Sequence, residues 1–243
     1  MTWYAKPTWV YSIDSNEAKT NALNIADVLY SQGWTKESIC ALLGNAQYES
    51  GMNPWRWSDP NSLYYVPSFN DFSNWTAAEA QLHGYGLLQY TPANKYINAT
   101  SANLWPQYFF PNFTDITGQA IDGYAQMLWF AANGAGEWIN SVYNYNYYYT
   151  PFINYGVNIT PWYYTTFNNF INGVDNNGNQ LTLAELTGVF ELCYERPEAS
   201  AAASSYQTRV NYAQYYYGII PNPPQPHTWG KMPWIYYLKR RRY

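Results

Sequence analysis

One helix with a defined start and end is encoded by the stretch TKESICALLGNAQYESGMNP, residues 35–54. Thr35 followed by the first-turn acid Glu37 is typical of a helix N-terminus. Gly51 then favours a C-terminal cap, and Pro54 prevents further helix. Between these ends, apolar residues recur at helical spacing, which predicts one buried face. These apolar positions are Ile39, Leu42, Leu43 and Ala46.

Glu49 continues the same apolar stripe, three residues beyond Ala46. Burial disfavours a carboxylate, and so does the negative end of the helix dipole, so both effects predict a raised pKa for Glu49. A carboxyl group that stays protonated near neutral pH can act as a general acid, which cleavage of a glycosidic bond requires. The alternative interpretation is a structural Glu at a helix end, exposed to water or paired with an arginine.

A second motif, GYGLLQYTP at residues 84–92, predicts a short strand between turns. Glycines at 84 and 86 allow the backbone to lie close to a bulky ligand. Gln89 offers a donor and an acceptor, so it can orient a sugar hydroxyl or an N-acetyl group. Without the acid upstream, the motif is equally well explained as a bulged strand.

Most of the remaining pattern is helical. Asp14 and Glu17 have capping-box spacing at the start of a helix that Gly33 ends. Further helices are predicted at about residues 118–132, 182–195 and 198–217, and loops with one or two short strands at 53–83. Residues 143–170 fit either a loop or an irregular helix. Residues 175–179 predict an Asn-Gly turn, because the EF-hand template fails there.

Composition limits the possible functions. Charged residues make up 12% of the 243-residue chain, aromatics 21%, and the net charge is −4, which disfavours nucleic acid as a partner. No apolar run is long enough for a signal peptide or a membrane span, so we expect synthesis in a cytoplasm and no membrane partner. Cys40 and Cys193 are predicted to be buried free thiols. A compact domain is expected over residues 1–220, followed by a Pro-rich linker and basic tail at 221–243.

The two motifs together resemble the phage tail lysozyme family. The resemblance rests on Glu49-Ser50-Gly51-Met52-Asn53-Pro54 followed by residues 84–92, and it extends to residues 43–47, 190–197, Arg209 and residues 212–213. The Glu-Ser and Gly-Leu-x-Gln elements are also similar to goose-type lysozymes and soluble lytic transglycosylases. The resemblance implies an α+β, mainly α, lysozyme-like helical domain with a small β-hairpin beside the cleft.

The resemblance also implies a function. Glu49 would be the general acid that cleaves the bond between N-acetylmuramic acid and N-acetylglucosamine in peptidoglycan, with no metal and no cofactor. Asp59 is the first candidate for a second catalytic carboxylate and Asp71 the next. The candidate substrate-binding residues are Ser50, Tyr85, Gly86, Gln89 and Tyr90, and the candidate sugar-stacking aromatics are Trp55, Trp57, Tyr85, Tyr90 and Trp129.

Several alternatives stay open at this point. Without a second carboxylate, the sugar's own 6-hydroxyl can attack, as in a lytic transglycosylase. Glu195 is better explained by a structural salt bridge than by chemistry. Non-catalytic wall binding in a virion and cleavage of another polysaccharide, such as chitin, are further possibilities. The acidic pI favours an enzyme carried on a phage tail, with other tail proteins as partners, over a freely diffusing lysozyme that would gain from positive charge.

Overall fold

The computed structural model describes residues 2–5, 13–54, 56, 84, 86–89, 122–139, 142–162 and 164–223. Helices dominate these ranges, so the predicted mainly helical class is confirmed. A 3-10 turn, Thr160–Trp162, and a π turn, Glu191–Glu195, occur between helices. The helices are α1 (Ser15–Ser31), α2 (Lys36–Ser50), α3 (Asp122–Glu137), α4 (Val142–Asn154), α5 (Phe167–Ile171), α6 (Leu183–Phe190) and α7 (Ala199–Ile219).

The predicted caps of α1 and α2 are confirmed. The Asp14 side chain accepts hydrogen bonds from the backbone N–H groups of residues 16 and 17, and Glu17 accepts from the Asp14 N–H, which completes a capping box. Thr35 caps α2 through the Ser38 N–H. Gly51 ends α2 with a left-handed φ of 58°. These caps determine where α2 stops and therefore where Glu49 lies.

Helix α2 is the central helix of the described fold. It packs mainly against α7 and α6, and also against α1, which in turn packs on α3. The crossing of α2 and α7 is close because Gly44 has no side chain: a Cβ there would lie 2.5 Å from the Arg209 carbonyl oxygen and 2.8 Å from the Ala213 Cβ. The approach brings the side chains of α7 to the end of α2.

Aromatic rings fill the core beside α2. Phe130 of α3 contacts Tyr194 with ring centroids 4.8 Å apart, and Trp138 contacts Phe170 at 5.1 Å. Most of these pairs are edge-on or tilted, which is the favoured arrangement for aromatic quadrupoles. The chain's high aromatic content therefore serves packing in this region. The other rings of the cluster are Trp34, Phe167 and Phe190.

The helix predicted at 182–195 changes its hydrogen-bond pattern within its length. α6 is capped by a capping box from Thr182 and Glu185, and it continues into the π turn Glu191–Glu195. The Arg196 N–H donates to the Glu191 carbonyl oxygen at 2.7 Å, and Arg196 has a left-handed φ of 54°. π turns of this kind often occur at functional sites. This one directs Glu191 towards α7, where its carboxylate meets Arg209.

The predicted strand at 84–92 is wrong for its described part. Residues 86–89 form a turn in which Gly86 and Gln89 have φ values of 85° and 45°, because a buried side chain from α3, Gln126, holds the Leu87 N–H. Within the described ranges the β pairing found is a single antiparallel bridge, Val174–Gln180. It encloses the Asn-Gly turn predicted at 175–179. The predicted hairpin beside the cleft lies in residues outside the described ranges.

Other boundaries differ in detail from the predictions. α3 extends to Glu137, beyond the predicted end near 132, and the undecided segment 143–170 contains α4, the 3-10 turn and α5. Cys40 and Cys193 are buried and free, as predicted. None of the helices in the described part of the chain is long and apolar enough to span a bilayer. Residues 224–243 lie outside that part, and the division at residue 220 stays a prediction.

The close crossing of α2 and α7 gives a test of the packing. We expect Gly44→Ala to lower the free energy of unfolding by about 1–3 kcal/mol, because the new methyl group must displace backbone of α7. Gly218→Ala is the matched control, since no atom lies within 4 Å of a Cβ at that helical position. Urea unfolding of both variants checks this, and equal stability of the two would contradict the described crossing.

Candidate active site

Glu49 lies in the last turn of α2 and is paired with a buried arginine. Its Oε1 atom accepts a hydrogen bond from Nη2 of Arg209 at 2.5 Å, and its side chain keeps 23% exposure. No described residue is hydrogen-bonded to Oε2. The apolar, buried surroundings that the stripe predicted are therefore wrong, and the pairing with an arginine given as the alternative is what the structure shows. One oxygen of the carboxyl group is held by Arg209, and the side chain remains partly exposed.

Arg209 is fixed by contacts on all sides. Its side chain is 2% exposed. Nη1 donates to Asn45 Oδ1 at 2.9 Å, and Nε lies 2.9 Å from Glu191 Oε1 and 3.2 Å from Ser205 Oγ. The guanidinium carbon also stacks over the Tyr48 ring, 4.1 Å from its centroid. Such a network leaves the guanidinium one orientation, so the position of the Glu49 carboxyl is fixed as well.

Asn45 and Ser205 are oriented by the helices that carry them. The Asn45 amide nitrogen donates to the carbonyl oxygens of Ala41 and Thr187, which turns its oxygen towards Arg209. Ser205 Oγ donates to Glu191 Oε1 at 2.9 Å and so joins α7 to the π turn. Polar residues from three elements thus converge on one guanidinium, and each has a defined donor or acceptor role.

Two further carboxyl groups belong to this ionic cluster, which we define as Glu49, Glu191, Glu195 and Arg209. Burial raises the pKa of Glu191 to about 7, although Arg209 and the Ser205 hydroxyl act in the opposite direction. Burial raises the pKa of Glu195 well above its usual range, and the charge of Glu49 adds to the effect. Glu191 Oε2 and Glu195 Oε1 are buried and have no hydrogen-bond partner among the described residues. The surroundings of Glu191 and Glu195 therefore disfavour the ionised form of each carboxyl group.

The charge of the cluster follows from these contacts. Three carboxyl groups face the guanidinium of Arg209, and the charge of Arg196 also acts on Glu195, so full ionisation would leave an excess of negative charge in a largely buried site. Bound protons reduce that excess. At neutral pH the cluster therefore holds protons, and Glu195 is the carboxyl group whose surroundings favour one most.

The turn at residues 86–89 is fixed near the segment that follows α2. Gln126 of α3 donates to the Pro54 carbonyl oxygen at 2.8 Å and accepts from the Leu87 N–H at 2.8 Å. Gly86 donates to the Arg56 carbonyl oxygen, and a Cβ at Gly86 would collide with the Gln126 carboxamide. Here glycine is required both by the positive φ and by the close approach.

The structure places part of the predicted site. Ser50 is buried, and its hydroxyl donates to the Ala46 carbonyl oxygen within α2. The Gln89 amide donates to the carbonyl oxygens of Arg56 and Gly86. Trp129 is buried in the core, which leaves too little ring surface for a sugar. Substrate contact by Ser50, Gly86 and Gln89 stays a prediction. The predictions that fall outside the described residues are Trp55, Trp57, Asp59, Asp71, Tyr85 and Tyr90.

Sequence reasoning assigned no role to the residues that organise Glu49. Asn45, Glu191 and Arg209 enter only as parts of the family resemblance, and Gln126 is not singled out. A signal for Arg209 was present, since it occupies the buried stripe of α7 defined by positions 202, 206, 209, 213 and 216. A lone charge in such a stripe requires a buried partner. Glu195 is buried beside Glu191 and Glu49, and its Oε1 has no hydrogen-bond partner in the described part of the chain, so the salt bridge or hydrogen bond predicted for it stays a prediction.

Metal binding is a different use of clustered carboxyl groups. In the described ranges no group of three or more His, Cys, Asp or Glu side chains could hold a metal ion. In the ionic cluster the guanidinium of Arg209 occupies the centre between the carboxyl groups.

A helical domain with a partly exposed glutamate, held at the end of a central helix, is consistent with the lysozyme-like class. The phage tail lysozyme family matches residues 20–220, and the chain belongs to this family. It is also 36% identical over 91 residues to Morphogenesis protein 1 of Bacillus phage B103. That match covers 37% of this chain and 20% of the relative, so the chain spans a small part of the relative's length. Both matches are to phage proteins.

The raised pKa values predict how stability depends on pH. Glu191 and Glu195 bind protons more tightly in the folded chain than in the unfolded one, so their contribution is complete below the unfolded pKa, near 4.5 for Glu191. This contribution to stability is lost as the pH rises through the folded-state pKa values, and that of Glu191 is about 7. We expect Glu195→Gln, which mimics the protonated acid, to make the loss of stability at alkaline pH smaller.

Urea unfolding of wild type and Glu195→Gln across this pH range measures the effect. The two proteins should be similar in stability below about pH 4.5 and should diverge as the pH rises from there towards the folded-state pKa of Glu195, with the variant the more stable. Curves that run parallel over the whole range would show that Glu195 does not hold a proton in the folded state.

Proposed function

We propose that this chain is a tail-associated, peptidoglycan-degrading glycosidase of a bacteriophage, in which Glu49 is the general acid. The bond cleaved is the β-1,4 bond between N-acetylmuramic acid and N-acetylglucosamine. The observation that carries the proposal is the position of Glu49: one oxygen is held by buried Arg209, and the side chain remains partly exposed. Membership of the phage tail lysozyme family supports the substrate class.

The chemistry follows from this geometry. Protonated Glu49 donates its proton to the glycosidic oxygen while the bond to the anomeric carbon breaks, so one sugar leaves with a new hydroxyl group. Glu49 is then a carboxylate, and Arg209 stabilises it through the contact at Oε1. A water molecule adds to the anomeric carbon of the positively charged sugar. Its proton returns to Glu49, which restores the acid.

Other residues of the proposed site come from the sequence argument. Asp59 would stabilise the developing positive charge or position the water, and Ser50, Tyr85, Gly86, Gln89 and Tyr90 would bind the glycan. The described turn at 86–89 supports a glycan-binding role near Glu49, because Gln126 links this turn to the carbonyl group of Pro54, just beyond the end of α2. The proposed reaction uses protein side chains and water, with no metal ion and no cofactor.

The proposed location is the virion tail, with other tail proteins as partners and peptidoglycan strands as substrate. The family is one of tail lysozymes, and the relative from phage B103 is named for morphogenesis. The net charge of −4 fits an enzyme delivered to the wall by a particle, since such an enzyme does not depend on electrostatic attraction to an anionic surface. Synthesis in the host cytoplasm is part of this proposal.

Removal of the acid tests the proposal. We expect Glu49→Gln to lower the rate of peptidoglycan cleavage by about 10²–10⁴-fold, because Gln cannot donate a proton to the leaving oxygen. Glu37→Gln, at the opposite end of α2, is the matched control and should retain the wild-type rate. Turbidity of purified cell walls measures both. Cleavage by Glu49→Gln at the wild-type rate would rule out the assignment.

Mass spectrometry of the released fragments identifies the reaction. Reducing N-acetylmuramic acid ends indicate hydrolysis, and 1,6-anhydro ends indicate a lytic transglycosylase, in which the 6-hydroxyl replaces water. Asp59→Asn should slow a hydrolase that uses this second carboxylate. Binding to walls without any fragment release by the wild-type protein would instead favour a non-catalytic virion component.

A further inference from the structure

A general acid that is paired with an arginine presents a chemical conflict. Arg209 donates a hydrogen bond to Glu49 Oε1, and a guanidinium pairs with an ionised carboxylate, whereas proton donation requires a protonated acid. Protonating Glu49 would leave a buried guanidinium without its partner unless another carboxylate were present. The structure contains such a carboxyl group within the same ionic cluster.

Glu191 is placed to replace Glu49 as the partner of Arg209. Its Oε1 lies 2.9 Å from Arg209 Nε, on a different nitrogen from the one that contacts Glu49. Ser205 donates a second hydrogen bond to the same oxygen at 2.9 Å. Arg209 can therefore remain in one position, held by Asn45 and stacked on Tyr48, whichever of the two carboxyl groups is ionised.

The surroundings of the second oxygen of Glu191 explain why Glu191 can be either ionised or protonated. Glu191 is fully buried, and its Oε2 has no hydrogen-bond partner in the described part of the chain. A carboxylate with one such oxygen is incompletely stabilised, so a proton can also reside there. The pKa of Glu191, raised to about 7 chiefly by burial, agrees with this balance between the two forms.

We propose that Glu191 is a positioning residue that shares one proton with Glu49 through Arg209. In one state Glu191 holds the proton and Glu49 is the carboxylate bound to Arg209. In the other state Glu49 holds the proton and Glu191 is the carboxylate bound to Arg209. The two states have the same total charge, so the buried guanidinium always keeps one ionised partner. The second state is the one that donates a proton to the substrate.

The remaining groups around Glu191 do not replace it in this role. The hydroxyl groups of Tyr148 and Tyr206 have pKa values raised mainly by burial, so they stay neutral. Glu195 stays protonated because its pKa is raised well above the usual range. The groups facing Glu191 are Arg209 and Tyr206 on α7, Glu49 on α2, Tyr148 on α4 and Glu195 on its own π turn.

This proposal rests on the proposed function of Glu49, and the pH profile of the reaction tests it. The alkaline limb of kcat/KM reports loss of the essential proton in the free enzyme. In Glu191→Gln, Glu49 becomes the remaining ionisable partner of Arg209, so we expect this limb to move to lower pH by about one unit or more. Glu195→Gln is the matched control from the same cluster. The alkaline limb of its kcat/KM profile should stay at the wild-type pH. Equal loss of activity at every pH in Glu191→Gln would indicate a merely structural role and overturn the proposal.

Carboxyl-carbon NMR of protein labelled at glutamate side chains tests proton sharing without activity. Through-bond correlation with the assigned backbone of the wild type identifies the two signals, and the spectrum of Glu49→Gln verifies that of Glu49. In the wild type, both signals should respond in the same two titration steps, as coupled sites do. Two independent single-step titrations would overturn the proposal, even if Glu191→Gln fails to fold. Peptidoglycan cleavage by Glu49→Gln at the wild-type rate would refute the proposed function instead, and the NMR titration would still decide whether the proton is shared.

Discussion

The buried guanidinium of Arg209 is the interaction on which the site depends. It joins α7 to α2 through Glu49 and Asn45, and to the π turn after α6 through Glu191. A buried charge without partners would be strongly destabilising, so the three elements must meet in this arrangement for the helices to pack. Gly44 allows the close approach of α2 and α7 that brings Arg209 within reach. Packing and the placement of the candidate acid therefore have the same cause.

The ionic cluster also explains why a partly exposed carboxyl group can be well positioned. Glu49 lies at a helix end, where side chains are usually free to change rotamer. Contact with a guanidinium that is itself fixed by Asn45, Ser205 and the Tyr48 ring removes most of that freedom. One oxygen of Glu49 is held by Arg209 while the side chain remains partly exposed. Preorganisation of this kind is what acid catalysis requires of a side chain.

Local signals in the sequence predicted the local structure well. The caps at Asp14 and Thr35 and the stop at Gly51 follow from residue types and spacing over a few positions, and all three are confirmed. The position of Glu49 at the end of α2 followed from the same pattern. Such signals succeed because the partners lie within one turn of each other in the chain.

Contacts between distant residues could not be predicted in the same way. Arg209 meets Glu49 across a separation of 160 positions, and Gln126 meets Leu87 across 39. The pattern at 84–92 indicated a strand, but a buried amide from α3 stabilises a turn at residues 86–89 with left-handed backbone at Gly86 and Gln89. The π turn that directs Glu191 inward has no clear sequence signal either. A tertiary partner decides each of these features, and local propensity does not.

The position of the substrate relative to Glu49 tests the central claim most directly. A crystal structure of the Glu49→Gln variant with a bound oligosaccharide of alternating N-acetylmuramic acid and N-acetylglucosamine would measure it. We expect the residue-49 amide within about 3 Å of one glycosidic oxygen, with the other polar atom of the same amide still in contact with Arg209. An oligosaccharide bound away from the end of α2, or a residue-49 side chain turned from every glycosidic oxygen, would contradict it.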